Sequence, residues 1–210
     1  MGQGNYDQWS LNTPVYEIKR LNAPYINGKE IELIRKANSK KILDIGCGNG
    51  NRIFDYLTEN NIDFVGIEKF ERLTENSNYK DKIIIADILD VTSVNFDERL
   101  KNIDTVTILG GSLYGIFGLD NHKAAWKNIK SFLLHEGKVI FDTPLIQGFD
   151  TNDEIGEIML IPGVTPLQFF LSEKQLKEIW KENLFKIEEM TDFIIPGPFR
   201  IRYYLLNSNK

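Results

Sequence analysis

Residues Lys40 to Gly50 read Lys-Lys-Ile-Leu-Asp-Ile-Gly-Cys-Gly-Asn-Gly, and they restrict the fold more than any other stretch. Ile42, Leu43 and Ile45 form a short apolar run with one acid, Asp44, near its end. Glycines follow at 46, 48 and 50. Arg52 to Thr58 then places Ile53, Phe54 and Leu57 on one face of a helix start. The pattern is a strand, a tight glycine loop and a helix, the first half of a βαβ unit. Glycine lets the loop take positive φ and lets a ligand lie against the backbone. The helix amides behind the loop point at that ligand.

Two kinds of ligand use such a loop. A dinucleotide wants G-x-G-x-x-G, which needs a third glycine at 51, where this chain has Asn51. The third glycine falls at Gly50, giving D-x-G-x-G-x-G from Asp44. That pattern resembles motif I of the class I S-adenosylmethionine-dependent methyltransferases.

The chain has 210 residues, which suits one α/β domain spanning 1–210. Its apolar fraction of 42% is enough for a packed core. Acids outnumber bases by 30 to 25, for a formal charge of −5. This balance argues against a nucleic-acid partner, which calls for a basic face. The single cysteine, Cys47, can form no internal disulfide and fits a reducing, cytoplasmic setting. Met1 to Ser10 lacks the apolar core of a secretory signal, and no apolar run approaches a membrane span.

Along the chain, residues 1–12 read as a mobile arm rich in Gly, Asn and Gln, and Pro14 to Arg20 as a short helix. Asn27 to Ala37 reads as a helix, with Ile31, Ile34 and Lys36 or Ala37 on one face. The second strand is Asn61 to Ile67, ending in Glu68. An acid about 20 residues past the loop is placed to accept from two ribose hydroxyls. Phe70 to Asn76 is a short helix, and Lys82 to Ala86 the third strand, closed by Asp87-Ile88. Asp97 to Lys101 reads as a helical turn and Ile103 to Leu109 as the fourth strand. Gly110-Gly111-Ser112-Leu113-Tyr114-Gly115 follows, a glycine- and hydroxyl-bearing loop at a strand's carboxyl end. Leu119 to Leu134 is a helix, capped by Asp120 or Asn121. His135-Glu136-Gly137 turns into the fifth strand, Lys138 to Phe141, ended by Asp142-Thr143-Pro144. Residues 145–168 are long for a plain connection and read as a lid or binding loop. Ser172 to Asn183 is a helix with Ser172 as N-cap. Phe185 to Met190 and Phe199 to Leu206 are two closing strands about a Pro196-Gly197-Pro198 turn.

The resemblance covers roughly residues 40–206. It implies a three-layer Rossmann-like sandwich with a seven-stranded sheet in the order 3-2-1-4-5-7-6, the last strand antiparallel. Residues 1–39, with Tyr25, would cover the active site. S-adenosyl-L-methionine would be held by Asp44, Gly46, Cys47, Gly48 and Gly50 around its methionine, by Glu68 with Lys69 at the ribose, and by Asp87 with Ile88 at the adenine. The backbone at Leu109 and Gly110 would face the methionine end. The N/D-P-P-Y/F signature of amine-modifying nucleic-acid methyltransferases is missing. Leu-Gly-Gly-Ser stands there, which resembles the loop of glycine and other small-molecule N-methyltransferases.

The implied reaction is SN2 methyl transfer to an amine or hydroxyl of a small molecule. A hydroxyl calls for a base, and the candidates are Tyr114, Asp142 and His122. His122 sits in a helix start and reads more readily as a surface histidine than as a base. No carboxylate cluster suited to a metal assembles, so none is expected. The competing readings are an NAD-linked protein, against which Asn51 stands, and a protein that binds S-adenosylmethionine without turnover.

Overall fold

The computed structural model describes residues 28–91, 97–146, 156–158, 168–194 and 199–209. The expected N-terminal arm, the Pro14 to Arg20 helix, Tyr25, most of the 145–168 segment and the Pro196-Gly197-Pro198 turn lie outside them.

Helix α1 (Lys29–Ala37) buries Glu30, Leu33 and Ile34, the i, i+3, i+4 stripe of a helix packed on one side. Strand β1 (Lys41–Ile45) follows, then α2 (Phe54–Glu59), β2 (Asp63–Glu68), α3 (Glu71–Thr74) and β3 (Ile83–Ile85). Strand β4 (Ile103–Ile108) leads through the glycine loop to α4 (Leu119–Phe132) and β5 (Leu133–Ile146). A small hairpin, β6 (Gly156–Ile158) and β7 (Gln168–Phe170), precedes α5 (Glu173–Glu182), β8 (Phe185–Ile194) and β9 (Phe199–Ser208).

The main sheet has the order β3-β2-β1-β4-β5-β9-β8. Counting only its own strands, that is 3-2-1-4-5-7-6. The β1–β2, β1–β4, β2–β3 and β4–β5 pairs are parallel, and β9 runs antiparallel to β5 and β8. Both faces of the sheet are covered, as parallel strands require. Leu43, Val65, Val106 and Tyr204 face a core shared with Trp126 and Ile129 of α4 and Trp180 of α5. Ile42, Phe64, Tyr203 and Leu205 face the other, with Leu33 and Ile34 of α1 and Phe54 and Leu57 of α2. Among the described residues no helix is long and apolar enough to cross a membrane.

Three local expectations are corrected. Helix α4 is not capped by a side chain: its N-cap is Gly118, at φ 87°. Asn121 lies inside the first turn and donates back to the Phe117 carbonyl at 2.8 Å. The fifth strand does not end at Asp142-Thr143-Pro144 but runs on to Ile146, because β9 pairs with all of Lys138 to Ile146. Pairing with β4 stops at Phe141. Pro144 therefore sits where one ladder edge is open and its missing N–H removes no bond from β4. The His135-Glu136-Gly137 turn is absorbed into β5 as an irregularity, with Glu136 at φ 61°. The α5 cap is a complete capping box: the Gln175 N–H donates to Ser172 Oγ, and the Ser172 N–H donates to Gln175 Oε1.

Candidate active site

The carboxyl ends of β1, β2, β3 and β4 converge on one cavity of about 210 Å³. Its floor is the glycine loop. Gly46 N–H donates to the Ile67 carbonyl at 2.7 Å, which ties the loop to β2. Gly50 N–H closes the turn on the Cys47 carbonyl at 2.9 Å. Asp44, Gly46, Cys47 and Gly48 line the cavity, and Gly50 does not. Gly50 lies behind the loop, at φ 81°, where a methyl group would stand 2.2 Å from the Phe54 ring.

Glu68 ends β2 and is buried. Its Oε2 accepts from the Gly48 N–H at 2.9 Å and its Oε1 from the Phe70 N–H at 3.0 Å. Burial pushes its carboxyl above the usual range, and the backbone bonds hold it down. Each oxygen keeps lone-pair capacity for a further donor. Asp87 and Ile88 line the cavity beyond β3. Asp87 Oδ1 accepts from the Leu89 N–H at 2.9 Å, so it caps its own turn. Its Oδ2 lies 3.3 Å from Lys69 Nζ, and Lys69 also lines the cavity.

Leu109 and Gly110 form the wall beyond β4. Asp142 does not line the cavity. It is buried on β5, and both of its oxygens accept from the Gly110 N–H, at 2.9 and 2.8 Å. Its work is to hold the loop after β4. Tyr114 also faces away: its ring packs on Phe170, with centroids 4.6 Å apart. His122 is neither at the cavity nor on the surface. It is 4% exposed, with Nε2 2.9 Å from the Ile116 carbonyl. A carbonyl only accepts, so Nε2 carries the proton of the neutral ring. Burial lowers its pKa to about 4. Sequence spacing brings these three residues near the loop, but side-chain direction turns them from the cavity.

Arg52 is a site residue the sequence reading passed over. It lines the cavity and is nearly enclosed, with Nη1 4.0 Å from Asp142 Oδ2. Its guanidinium crosses over Gly110 so closely that a Cβ there would meet Nη1 at 1.9 Å. Its charge lowers the pKa values of Asp44, Asp142 and Glu30, which burial raises. The available signal was one base two residues past the last loop glycine. Gln168 of β7 also lines the cavity, and nothing in the local pattern marks it. Among the described residues no group of three or more His, Cys, Asp or Glu is placed to hold a metal ion.

The sheet order, with a cavity at its parallel carboxyl ends, decides the fold. The chain has the class I S-adenosylmethionine-dependent methyltransferase fold. Comparison with solved structures agrees. A 1,6-didemethyltoxoflavin N1-methyltransferase from Burkholderia thailandensis, with bound 1,6-didemethyltoxoflavin and S-adenosylhomocysteine, superimposes with TM-score 0.66 at 12% identity. The match covers 99% of this chain and 87% of that one. A methyltransferase from Clostridium acetobutylicum gives TM-score 0.63 at 16% identity over 98% of this chain and 92% of that one. An amino pentose methyltransferase from Micromonospora echinaspora gives 0.62 at 12%, over 91% and 96%. The family model for protein-L-isoaspartate(D-aspartate) O-methyltransferase matches residues 6–97, under half of the chain. That stretch holds the glycine loop, Glu68 and Asp87 of the methyltransferase fold. No curated protein matches the sequence.

The buried titratable groups set the pH response of the fold. Asp44 accepts from Thr107 Oγ1 at 2.7 Å, and burial raises its pKa to about 7. A raised acid contributes stability fully present below its unfolded value near 4 and lost as pH rises through about 7. His122 acts oppositely: its contribution is present above its unfolded value near 6.5 and is lost as pH falls toward about 4. Between these limits the two offset each other. Asp44→Asn removes one side. Between pH 7 and pH 5 the variant should lose roughly 2–3 kcal/mol relative to wild type. Urea midpoints at the two pH values test this, and parallel pH profiles would contradict it.

Proposed function

We propose that the protein transfers a methyl group from S-adenosylmethionine to a small molecule. The observation that carries this is a single cavity joining four features: the glycine loop, Glu68, the Asp87–Ile88 pair and the Leu109–Gly110 wall. The first could floor many ligands. The four together match a nucleoside joined to an amino acid. Glu68 accepts from the ribose hydroxyls, Ile88 packs on the adenine and Asp87 accepts from its amino group. Lys69 Nζ, 3.3 Å from Asp87 Oδ2, holds that carboxylate in place. Arg52, beside Gly110, pairs with the methionine carboxylate, and Asp44 attracts its ammonium group.

When bound, the sulfonium supplies an electrophilic methyl group. The chain then has to orient the acceptor and exclude water. Tyr114, Asp142 and His122 do not line the cavity. Beyond Gly110, the described cavity wall is Gly111, Ser112, Gly115, Ile116 and Gln168, and it carries no titratable base. This favours a nucleophile that attacks while neutral, an amine before a hydroxyl. The acidic balance of the chain argues against a nucleic-acid acceptor, and the lone, buried Cys47 suits a cytoplasmic setting.

Calorimetry should show S-adenosylmethionine binding and no NAD binding. The loop carries its third glycine at 50, and Asn51 at the dinucleotide position is exposed. Tight NAD binding without a response to S-adenosylmethionine would reverse the assignment. Formation of S-adenosylhomocysteine with a panel of amines and hydroxyls separates turnover from binding alone.

A further inference from the structure

We propose that Gln168 is a specificity-determining contact for the methyl acceptor, and that the acceptor meets it with an uncharged N–H or O–H. This rests on the methyl-transfer reading above. Gln168 opens β7, far in sequence from every motif residue. The β6–β7 hairpin is seated on the loop after β4. Phe169 N–H donates to the Tyr114 carbonyl at 2.9 Å, and Phe170 packs on the Tyr114 ring. Phe169 packs on His122, with centroids 5.6 Å apart. These contacts place Gln168 on the cavity wall beside Gly115 and Ile116.

Gln168 Oε1 is enclosed and has no hydrogen-bond partner among the described residues. An enclosed amide oxygen without a donor is unfavourable. The last torsion of a glutamine is broad, so the amide can turn that oxygen to the cavity. A ligand N–H or O–H there would satisfy it. Among the described residues of this wall beyond Gly110, none offers a charge. Ser112 Oγ already donates to the Leu109 carbonyl at 2.6 Å, which leaves it as an acceptor. A wall of oxygen acceptors without a counter-charge suits a neutral donor.

In the transfer, the acceptor's lone pair bonds to the methyl carbon while the carbon–sulfur bond breaks and its electron pair returns to sulfur. The proton then leaves the methylated atom for water. The Gln168 amide takes no proton. It holds the N–H or O–H so that the lone pair faces the methyl group.

Sinefungin tests the contact without the natural acceptor: a carbon bearing an amine, cationic at neutral pH, replaces the methylated sulfur and projects an N–H toward the acceptor side. Its preference over S-adenosylhomocysteine should rise with pH as that amine becomes neutral. Wild type should bind sinefungin more tightly than S-adenosylhomocysteine. Gln168→Met should lower that preference about tenfold and leave S-adenosylhomocysteine affinity unchanged. Gln168→Glu, which keeps an oxygen, should preserve or raise it. An unchanged preference in Gln168→Met, or both affinities falling together, would overturn the proposal. Wild type that binds neither compound would overturn the methyl-transfer reading itself.

Discussion

Replacing Glu68 by alanine should lower S-adenosylmethionine affinity by roughly ten- to a hundredfold. Two losses contribute. The variant removes the charged acceptor proposed for the ribose. It also releases the Gly48 and Phe70 N–H groups that Glu68 now holds at 2.9 and 3.0 Å. Glu68→Gln separates the two. An amide keeps one oxygen, so one backbone N–H stays bonded while the other faces an NH₂ group. Its affinity should also fall, because both carboxylate oxygens are in use. Calorimetry on the folded variants gives the answer, with circular dichroism to confirm the fold. Wild-type affinity in Glu68→Ala would show that the ribose is held elsewhere.

The second large effect is on stability. Gly50→Ala should destabilise the fold by about 2–5 kcal/mol. Gly50 has φ 81°, a conformation that disfavours any side chain. Its methyl group would also stand 2.2 Å from Cδ2 of Phe54. Phe54 is fully buried and packs on Phe64 with centroids 4.6 Å apart, so its ring has little room to withdraw. Guanidinium unfolding should show a lower midpoint with little change in slope. A midpoint equal to wild type would mean that the loop and Phe54 move aside freely. Gly110→Ala makes a useful contrast. The group its methyl meets is the end of the Arg52 side chain, which can swing away. That variant should keep more of its stability, and its loss should appear in cofactor binding through displaced Arg52.

Much of the parallel half of the sheet was legible in the sequence because its signals are local. An apolar run followed by a glycine turn and an amphipathic stretch reads as β1, the loop and α2 wherever the rest of the chain goes. Acids ending the second and third apolar runs could be placed for the same reason. A parallel strand's carboxyl end is marked by where its apolar run stops. The seven-strand order itself came from the resemblance, since pairing between distant strands leaves no mark on either one.

What tertiary structure alone decided was direction and partnership. Asp142, Tyr114 and His122 lie near the right loop in sequence. The packing of β5, β7 and α4 turns Asp142 to the Gly110 N–H, Tyr114 to Phe170 and His122 to the Ile116 carbonyl. Spacing says which residues are close, but the side of a strand or helix that faces the cavity depends on what covers the other side. The length of β5 was hidden likewise. Pro144 reads as a strand stop until β9, some 60 residues on, is seen to pair past it. Gln168 is the clearest case. It reaches the cavity only because Phe169 and Phe170 dock on a loop far away in sequence, and no local pattern encodes a contact made by its neighbours.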